Sequence, residues 1–273
     1  MKKAPRSHSF RHSRQDIEAA SQTPETAQTL APAYRLAFTD PDFMTREELR
    51  PVRLQLELLK PQMVMDERRI ETTVVMFGSA RIPDPAGSAP RSAPHRAGLC
   101  GYYEEARRFA RLVTERSLAT GGREWVVCTG GGPGVMEAGN RGAAEAGGQS
   151  IGLNIVLPHE QVPNAYVTPE LSFNFHYFGI RKMHFLMRAA VIAVFPGGFG
   201  TFDEMFEALT LIQTGRMQKI PFVIFGREWW ARMVNWHELV ACGMIAPEDL
   251  DLFRMVETAH EAMEVIDAWP PVA

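Results

Sequence analysis

The chain has 273 residues, of which 45% are hydrophobic and 22% are charged, and its formal net charge is −3. This length predicts one large domain with an extension, and the lack of a basic excess argues against a nucleic-acid partner. The three cysteines form no CxxC pair, which argues against a disulfide framework or a zinc knuckle, and no apolar run reaches membrane-spanning length. We therefore expect a cytoplasmic small-molecule protein without a metal, a membrane anchor or a nucleic-acid partner.

Two segments are expected to precede the main domain. Residues 1–35 mix Ser, Thr, Pro, Gln and Ala without an apolar period, a composition that predicts a disordered tail. Residues 36–71 carry leucines and methionines at helical spacing, which predicts a helical extension that is interrupted near Pro61. The remaining residues, 72–273, form the predicted main domain.

Strands and helices alternate through the main domain, with an exposed loop expected at 83–99. Apolar runs predict strands at 72–77, 125–129, 150–157, 172–177, 191–195, 221–225 and 253–256. Helices are predicted at 102–118, 135–146, 180–190, 202–212, 229–242 and 258–269. This alternation predicts an α/β fold, a Rossmann-like doubly wound parallel sheet with helices on both faces. Ligands of such folds bind at the carboxyl ends of the strands.

Two of the predicted strands run into glycine clusters, at 130–134 and 196–201, and a helix follows each cluster. Backbone N–H groups and a helix amino terminus in this arrangement bind phosphate. A single cluster is often only a tight turn, but two in one domain favour an anionic ligand. Neither cluster has the GxxxxGK[ST] pattern, and Val135 stands where GxGxxG requires its last glycine. This excludes a P-loop NTPase and leaves NAD binding without specific support.

Polar residues lie at the end of the second cluster and just after it. The hydroxyl of Thr201 is expected to donate to a phosphate and to cap the next helix. Asp203 and Glu204 have two interpretations. They are first-turn acids that the helix dipole stabilises, or Glu204, which lies off the apolar stripe of that helix, faces the sugar of a ligand.

The helix predicted at 180–190 has two faces. The apolar face, which we expect to be buried, carries Ile180, Met183, Met187 and Ala190. The other carries Arg181, His184 and Arg188. The basic face is either solvated or directed at an anion.

Three motifs resemble those of one family: Gly130-Gly-Gly-Pro-Gly-Val-Met-Glu-Ala, Phe178-Gly-Ile-Arg-Lys182 and Pro196-Gly-Gly-Phe-Gly-Thr-Phe-Asp-Glu204. This is the LOG (Lonely Guy) family of cytokinin riboside 5′-monophosphate phosphoribohydrolases, often labelled lysine decarboxylase-like. The resemblance extends from about Thr72 to the carboxyl end. The tail, the helical extension and the 83–99 loop lie outside it and are similar to additions in longer bacterial members.

The resemblance implies a function and a set of site residues. The implied reaction is hydrolysis of the N-glycosidic bond of AMP or a cytokinin riboside 5′-monophosphate, without a cofactor, in a homodimer or larger assembly. The implied catalytic residues are Arg181 and Glu204. The implied substrate-binding residues are Gly78, Ser79, Gly131, Gly132, Glu137, Lys182, Gly197, Gly198, Gly200 and Thr201.

Three alternatives compete with this function. A decarboxylase would need pyridoxal phosphate on a lysine, and of the five lysines only Lys182 lies near the predicted site, inside a motif explained by anion binding. Metal catalysis lacks support because His237 and Glu238 have no second histidine at HExxH spacing. A non-catalytic nucleotide sensor with the same fold stays open, although the presence of both Arg181 and Glu204 favours an enzyme.

The predicted assembly rests on an excess of large apolar residues in two helices. These residues are Phe185, Leu186, Phe202 and Phe206. This is more large apolar surface than is needed to cover one face of the sheet, and the excess predicts a symmetric dimer interface.

Overall fold

A computed structural model describes residues 10–86, 98–158 and 162–270. Residues 1–9 of the expected tail and residues 87–97 of the expected loop lie outside the described residues. The chain divides into two compact units, Met1–Leu56 and Glu57–Ala273.

The first unit is made of short helices. They are α1 (Ser13–Ser21), α2 (Pro41–Met44) and 3₁₀ turns at Pro32–Tyr34, Ala37–Thr39 and Glu47–Leu49. Helix α1 falls inside the segment expected to be disordered. It buries none of its residues, as that composition implies, and a capping box of His12 and Gln15 closes its first turn.

Helix α3 (Arg50–Glu67) begins in the first unit and ends in the second. It runs through Pro61, where the sequence predicted an interruption. A proline removes one helical hydrogen bond. Helix α3 is nevertheless continuous at this position, and both Pro61 and Met65 are buried.

A seven-stranded sheet forms the centre of the second unit. Its strands are β1 (Thr73–Phe77), β2 (Val126–Thr129), β3 (Ser150–Ile155), β4 (Ser172–Phe175), β5 (Ala189–Val194), β6 (Phe222–Phe225) and β7 (Arg254–Val256). Every pair of neighbours is parallel, and the order is β4-β3-β2-β1-β5-β6-β7. The chain therefore winds outward in both directions from β1 and β5, which confirms the predicted Rossmann-like fold.

Helices alternate with these strands. They are α4 (Gly101–Ala119), α5 (Val135–Glu145), α6 (Phe178–Met187), α7 (Phe199–Gln213), α8 (Arg227–Met233), α9 (Trp236–Ala241) and α10 (Ala259–Asp267). The helix predicted at 229–242 is thus two helices. The chain is extended at Val234, and the side chain of Asn235 caps α9 by accepting from the N–H of Glu238 at 3.2 Å.

The core lies on both faces of the sheet. Along β1, Val75 and Phe77 pack into one apolar cluster, whereas Val74 and Met76 pack into the other. Side chains of a strand alternate between the faces, so a strand that is buried on both sides reads as a continuous apolar run. No helix of the described ranges is long and apolar enough to cross a membrane.

Helix α6 buries the face opposite to the predicted one. Met183 and Met187 are 47% and 50% exposed, whereas Arg181, His184 and Phe185 are buried. The expectation of an apolar buried stripe was therefore wrong for Met183 and Met187, whereas Ile180 packs partly buried against the core. Phe185, expected at a subunit interface, packs in the core 5.1 Å from the ring of Phe77.

Partners within the second unit explain why polar side chains occupy the buried face of α6. The ring of His184 lies 3.2 Å from the carbonyl oxygen of Glu57, and burial lowers the pKa of this histidine. Arg188 pairs with Asp66 and with the carbonyl of Ile70. Buried polar groups are tolerated when each is hydrogen-bonded, and hydropathy alone does not reveal such partners.

Candidate active site

The candidate site lies where β1, β2 and β5 end. Strands β1 and β5 are neighbours, and the connections that follow them lead to opposite sides of the sheet. This is the switch point at which open α/β sheets form a ligand crevice. The glycine turns that begin at Gly78, Gly130 and Gly197 all follow strands of this region.

The turn after β1 connects the other two. A Cβ atom at Gly78 would lie 2.5 Å from Cγ1 of Val135, so only glycine lets α5 approach this closely. The N–H of Ser79 donates to the carbonyl of Pro196 at 3.1 Å, and its own carbonyl accepts from the N–H of Val135 at 3.1 Å. Through these two backbone bonds, Ser79 connects the turn after β1 to the turn after β5 and to the start of α5.

The turn after β2 contains glycines that no other residue could replace without strain. Gly131 has a φ of +73°, and a Cβ there would lie 2.4 Å from Oδ1 of Asn154. Gly134 has a φ of +70°, and its Cβ would lie 2.4 Å from the carbonyl oxygen of Ser79. Glu137, predicted to line the ligand, accepts a hydrogen bond from the hydroxyl of Tyr103 at 2.8 Å.

The turn after β5 leaves space beside its backbone. No atom lies within 4 Å of a Cβ built on Gly198 or Gly200, and Phe199 is 97% exposed. Helix α7 begins at Phe199, and its first recorded helical bond runs from the N–H of Phe202 to the carbonyl of Gly198. The N–H groups of residues 199–201 therefore lack helical acceptors, the arrangement that suits an anion.

Thr201 stands in the first turn of α7 and not at its cap. The cap residue is Gly198, which makes no side-chain capping bond, so the expectation that Thr201 caps the helix was wrong. Thr201 is buried, and its Oγ1 would lie 2.1 Å from a Cβ on Gly197. Gly197 is required because its missing side chain leaves room for this threonine.

Asp203 and Glu204 lie beyond the first turn of α7, which contains no acidic residue. A favourable interaction with the helix dipole falls off within the first turn. The interpretation of these acids as first-turn dipole partners therefore loses its basis, and the burial of Glu204 needs another explanation.

Arg181 connects three parts of the site. Its Nε donates to the carbonyl of Leu153 at 2.7 Å, and Nη1 lies 3.5 Å from Oε1 of Glu204. Its Nη2 would lie 2.6 Å from a Cβ at Gly130, which places the guanidinium against the β2 turn. The residue is only 8% exposed, so the pair that the sequence predicted is formed away from bulk water.

Burial dominates the electrostatics of this pair. It raises the pKa of Glu204 to about 7, even though the charge of Arg181 acts in the opposite direction. Burial also lowers the pKa of Arg181, but a guanidinium stays protonated in proteins. Near neutral pH the carboxyl of Glu204 exists in both forms, a property that a general acid or base needs.

Lys182 faces the acids of α7. Its Nζ lies 3.1 Å from Oδ1 of Asp203 and 3.0 Å from Oε2 of Glu207. Burial would lower the pKa of Lys182, but the hydrogen bonds to these two carboxylates outweigh it and raise the pKa. The structure thus places this predicted substrate-binding residue in an ion-pair cluster.

Sequence reasoning missed three asparagines of the site. Asn140 is fully buried in α5, Asn154 contacts Gly131, and Asn164 binds the carbonyls of the β2 turn. Of the three, only Asn140 could have been recognised from the sequence, because it is a polar residue among the small residues of a buried helix face.

Other parts of the described structure offer less. A cavity of about 270 Å³ lies at the amino-terminal ends of β2 and β3, lined by Trp125 and Gln149 among others, and contains none of the predicted site residues. We base the site on the strand ends because the glycine turns and the Arg181–Glu204 pair meet there. In residues 10–86, 98–158 and 162–270, no three His, Cys, Asp or Glu side chains are grouped to hold a metal ion.

Comparison with known protein families gives a match over part of the chain. Residues 136–266 match the family described as "Possible lysine decarboxylase". This match includes α6 and α7 and begins just after the β2 glycine turn. No curated protein sequence matches the chain significantly.

Solved structures with a similar fold share little sequence with the chain. TM1055, a structural-genomics target, has 20% identity and a TM-score of 0.48, and the match covers 72% of this chain and 99% of that one. The molybdenum cofactor binding protein of Rippkaea orientalis has 16% identity and a TM-score of 0.48, with 72% and 96% covered. The molybdenum cofactor carrier protein of Chlamydomonas reinhardtii has 18% identity and a TM-score of 0.49, with the same coverage.

Proposed function

The chain is a LOG-like, lysine decarboxylase-like protein, and from this premise we propose that it hydrolyses the N-glycosidic bond of a nucleoside 5′-monophosphate. The substrate is AMP or a cytokinin riboside 5′-monophosphate, and the products are the free base and ribose 5-phosphate. The observation that carries the proposal is the pair of Arg181, which is buried, and Glu204, whose side chain is 15% exposed, between two glycine turns. A cytoplasmic location belongs to the same proposal.

The β5 turn supports the assignment of a phosphorylated substrate. The N–H groups of residues 199–201 point out of the start of α7, and the space next to Gly198 and Gly200 is open. The helix dipole adds a positive potential at this end. We assign the 5′-phosphate to this turn, with Gly197 and Thr201 shaping it.

The chemistry of the bond supports a role for Glu204. When the bond between C1′ and the base nitrogen breaks, the electron pair leaves with the base and positive charge develops on the ribose. Water then adds to C1′, and the proton that this water loses ends on the departing base. A buried carboxylate stabilises this charge strongly because little solvent screens it. With a pKa of about 7, Glu204 suits either of two roles: it stabilises the charge, or it takes a proton from the attacking water.

Arg181 supports Glu204 in both roles. Its positive charge favours the ionised carboxylate, and its bond to the carbonyl of Leu153 fixes the orientation of the guanidinium. We assign to Arg181 the tasks of pairing with Glu204 and of keeping the nucleotide in register.

The contacts of Lys182 speak against a decarboxylase. A lysine that forms a Schiff base needs a lowered pKa, so that its amine is free at neutral pH. The ion pairs with Asp203 and Glu207 act in the opposite direction and occupy the ammonium group.

The test is to incubate the protein with AMP and to look for adenine and ribose 5-phosphate. We expect both products in equal amounts, and much slower cleavage of adenosine, which lacks the phosphate. Equal turnover of AMP and adenosine would contradict the phosphate assignment. Binding of AMP without any cleavage would instead identify a non-catalytic nucleotide sensor or carrier.

A further inference from the structure

Side chains from distant parts of the chain hold the glycine turn after β2. The N–H of Gly131 donates to Oγ1 of Thr129 at 3.0 Å, and the Thr129 hydroxyl donates to Oδ1 of Asn140 at 2.7 Å. Nδ2 of Asn164 donates to the same Asn140 oxygen at 2.9 Å and to the carbonyl oxygen of Gly131 at 3.1 Å. These four bonds form a closed ring through the N–H and the carbonyl of Gly131.

Asn164 is the donor in this ring, and the network fixes the orientation of its amide. The carbonyl oxygen of Gly132 also lies 3.0 Å from Nδ2, so three acceptors share its two hydrogens. Oδ1 accepts from the N–H of Tyr166 at 3.2 Å. The reverse orientation would place an oxygen against three oxygens, so the nitrogen must face the turn.

This arrangement determines the direction of one N–H group. In a trans peptide the C=O and the next N–H point in opposite directions. Because the carbonyl of Gly131 faces Asn164, the N–H of Gly132 points away from it. Gly132 is buried, no described residue accepts a hydrogen bond from its N–H, and the following nitrogen belongs to Pro133, which has no hydrogen.

We propose that Asn164 is a positioning residue that aims the Gly132 N–H at an oxygen of the ribose 5-phosphate part of the substrate. The inference rests on the function proposed above, but it concerns binding of the sugar phosphate and not cleavage of the bond. The backbone N–H of residue 164 also donates to the Gly131 carbonyl, at 2.8 Å. Removal of the Asn164 amide therefore loosens the peptide between the two glycines, whose φ can take either sign, without freeing it fully. Rotation would turn a carbonyl oxygen toward an anionic ligand and replace attraction by repulsion.

The test measures binding of ribose 5-phosphate and of adenine by calorimetry. Asn164→Ala should bind ribose 5-phosphate about tenfold more weakly than the wild type, the effect of one lost hydrogen bond to a charged group. Adenine binding should stay unchanged. Asn164→Asp should lose more, because a carboxylate cannot donate to the three acceptors. Asn164→Gln, which retains an amide donor, should recover part of the affinity.

With AMP as substrate, the Asn164→Ala variant should show a raised KM and a kcat within about twofold of the wild type, since the contact forms already in the ground state. Asn174→Ala is the matched control, because Asn174 lies exposed on the neighbouring strand β4. Thermal unfolding of each variant ensures that all binding is measured on folded protein.

Three results would overturn the proposal: unchanged ribose 5-phosphate affinity in folded Asn164→Ala, an equal loss for adenine and ribose 5-phosphate, or no ribose 5-phosphate binding by the wild type. A wild type that binds ribose 5-phosphate but leaves AMP intact would refute the proposed hydrolysis alone. The binding comparison between the variants would then still decide the role of Asn164.

Discussion

The two glycine turns beside Arg181 are built in different ways. The turn after β2 is closed by side chains, since Asn154 fills the space next to Gly131 and Asn164 holds two of its carbonyls. The turn after β5 is open, with free space at Gly198 and Gly200. Its shape follows from the start of α7 and from the backbone bond between the N–H of Ser79 and the carbonyl of Pro196.

This difference suggests a division of roles. The closed turn has a fixed backbone whose donors are set before a ligand arrives, which lowers the entropy lost on binding. The open turn supplies the volume and the unpaired N–H groups that a phosphate requires. Glu204 belongs to the helix of the open turn and touches the arginine that lies against the closed one. The predictions below separate these roles.

The largest effect is expected at Glu204, where the two turns meet. Glu204→Gln keeps the size of the side chain but removes its charge, and kcat for AMP should fall by about a hundredfold or more while AMP still binds. Glu207→Gln is the control on the same helix, because its more exposed carboxylate pairs with Lys182. Its kcat should remain within a few-fold of the wild type. Release of adenine by Glu204→Gln at the wild-type rate would refute the mechanism.

The same substitution in the two turns should have opposite consequences. Gly131→Ala places a Cβ at positive φ against Asn154 and should destabilise the fold by about 2 kcal/mol. Gly200→Ala meets no atom within 4 Å and replaces a helical glycine, so it should leave the melting temperature unchanged or raise it. Its methyl group instead occupies the ligand's space, and KM for AMP should rise about tenfold.

Melting curves and AMP kinetics of the two alanine variants provide this comparison. A stable Gly131→Ala variant would show that the closed turn tolerates rearrangement. Normal AMP affinity in Gly200→Ala would place the phosphate elsewhere.

Parts of this comparison could be predicted from the sequence. Strands β1, β2, β5 and β6 were recognisable because each is a short apolar run that glycine or proline follows within two residues, a signal that is local. The pairing of Arg181 with Glu204 came from the resemblance to a family, not from the spacing of the residues. The hydrogen bonds from the Asn164 amide to the β2 turn and to Asn140 could not be predicted. Their acceptors lie more than twenty residues away and meet Asn164 only in the folded chain.

The orientation of α6 shows a second limit. An apolar period does not tell whether the polar face is exposed or buried with partners. Arg181 and His184 are buried because Glu204 and Glu57 are available to them. The location of Glu204 in the second turn likewise depended on a helix boundary, because the predicted start at residue 202 lies three residues after the observed start at Phe199.

The pKa of Glu204 predicts a pH dependence. If the ionised carboxylate does the work, kcat should rise with pH through about 7 and be about tenfold lower at pH 6 than its plateau. The phosphate of AMP also titrates near pH 6. The residual activity of Glu204→Gln is therefore the control, and its pH profile should show only the change that comes from the phosphate. A wild-type profile identical in shape to that of the variant would contradict the assignment.

The same shift predicts how stability changes with pH. The folded state raises the pKa of Glu204 above its usual value of 4.5, so this group contributes most below pH 4.5, and its contribution is lost as the pH rises through about 7. Between pH 5 and 8 the wild type should therefore lose on the order of 3 kcal/mol relative to Glu204→Gln. Urea unfolding at both pH values measures this difference, and a constant gap between the two proteins would argue against a raised pKa.

The smallest effect on the site itself is expected from the outer face of α6, which carries the exposed Met183 and Met187. Two large apolar side chains one turn apart form a patch that a second copy of the chain could cover, which revises the residues expected at the dimer interface. Met187→Lys should shift a dimer toward the monomer in light scattering at micromolar concentration. Leu118→Lys is the matched control, since Leu118 is 44% exposed on α4, and it should leave the mass unchanged. Because α6 carries Arg181, loss of the partner copy should lower activity only modestly and in proportion to the monomer fraction. A wild-type chain that is monomeric at this concentration would disprove the assembly, and a Met187→Lys dimer would place its interface on another face.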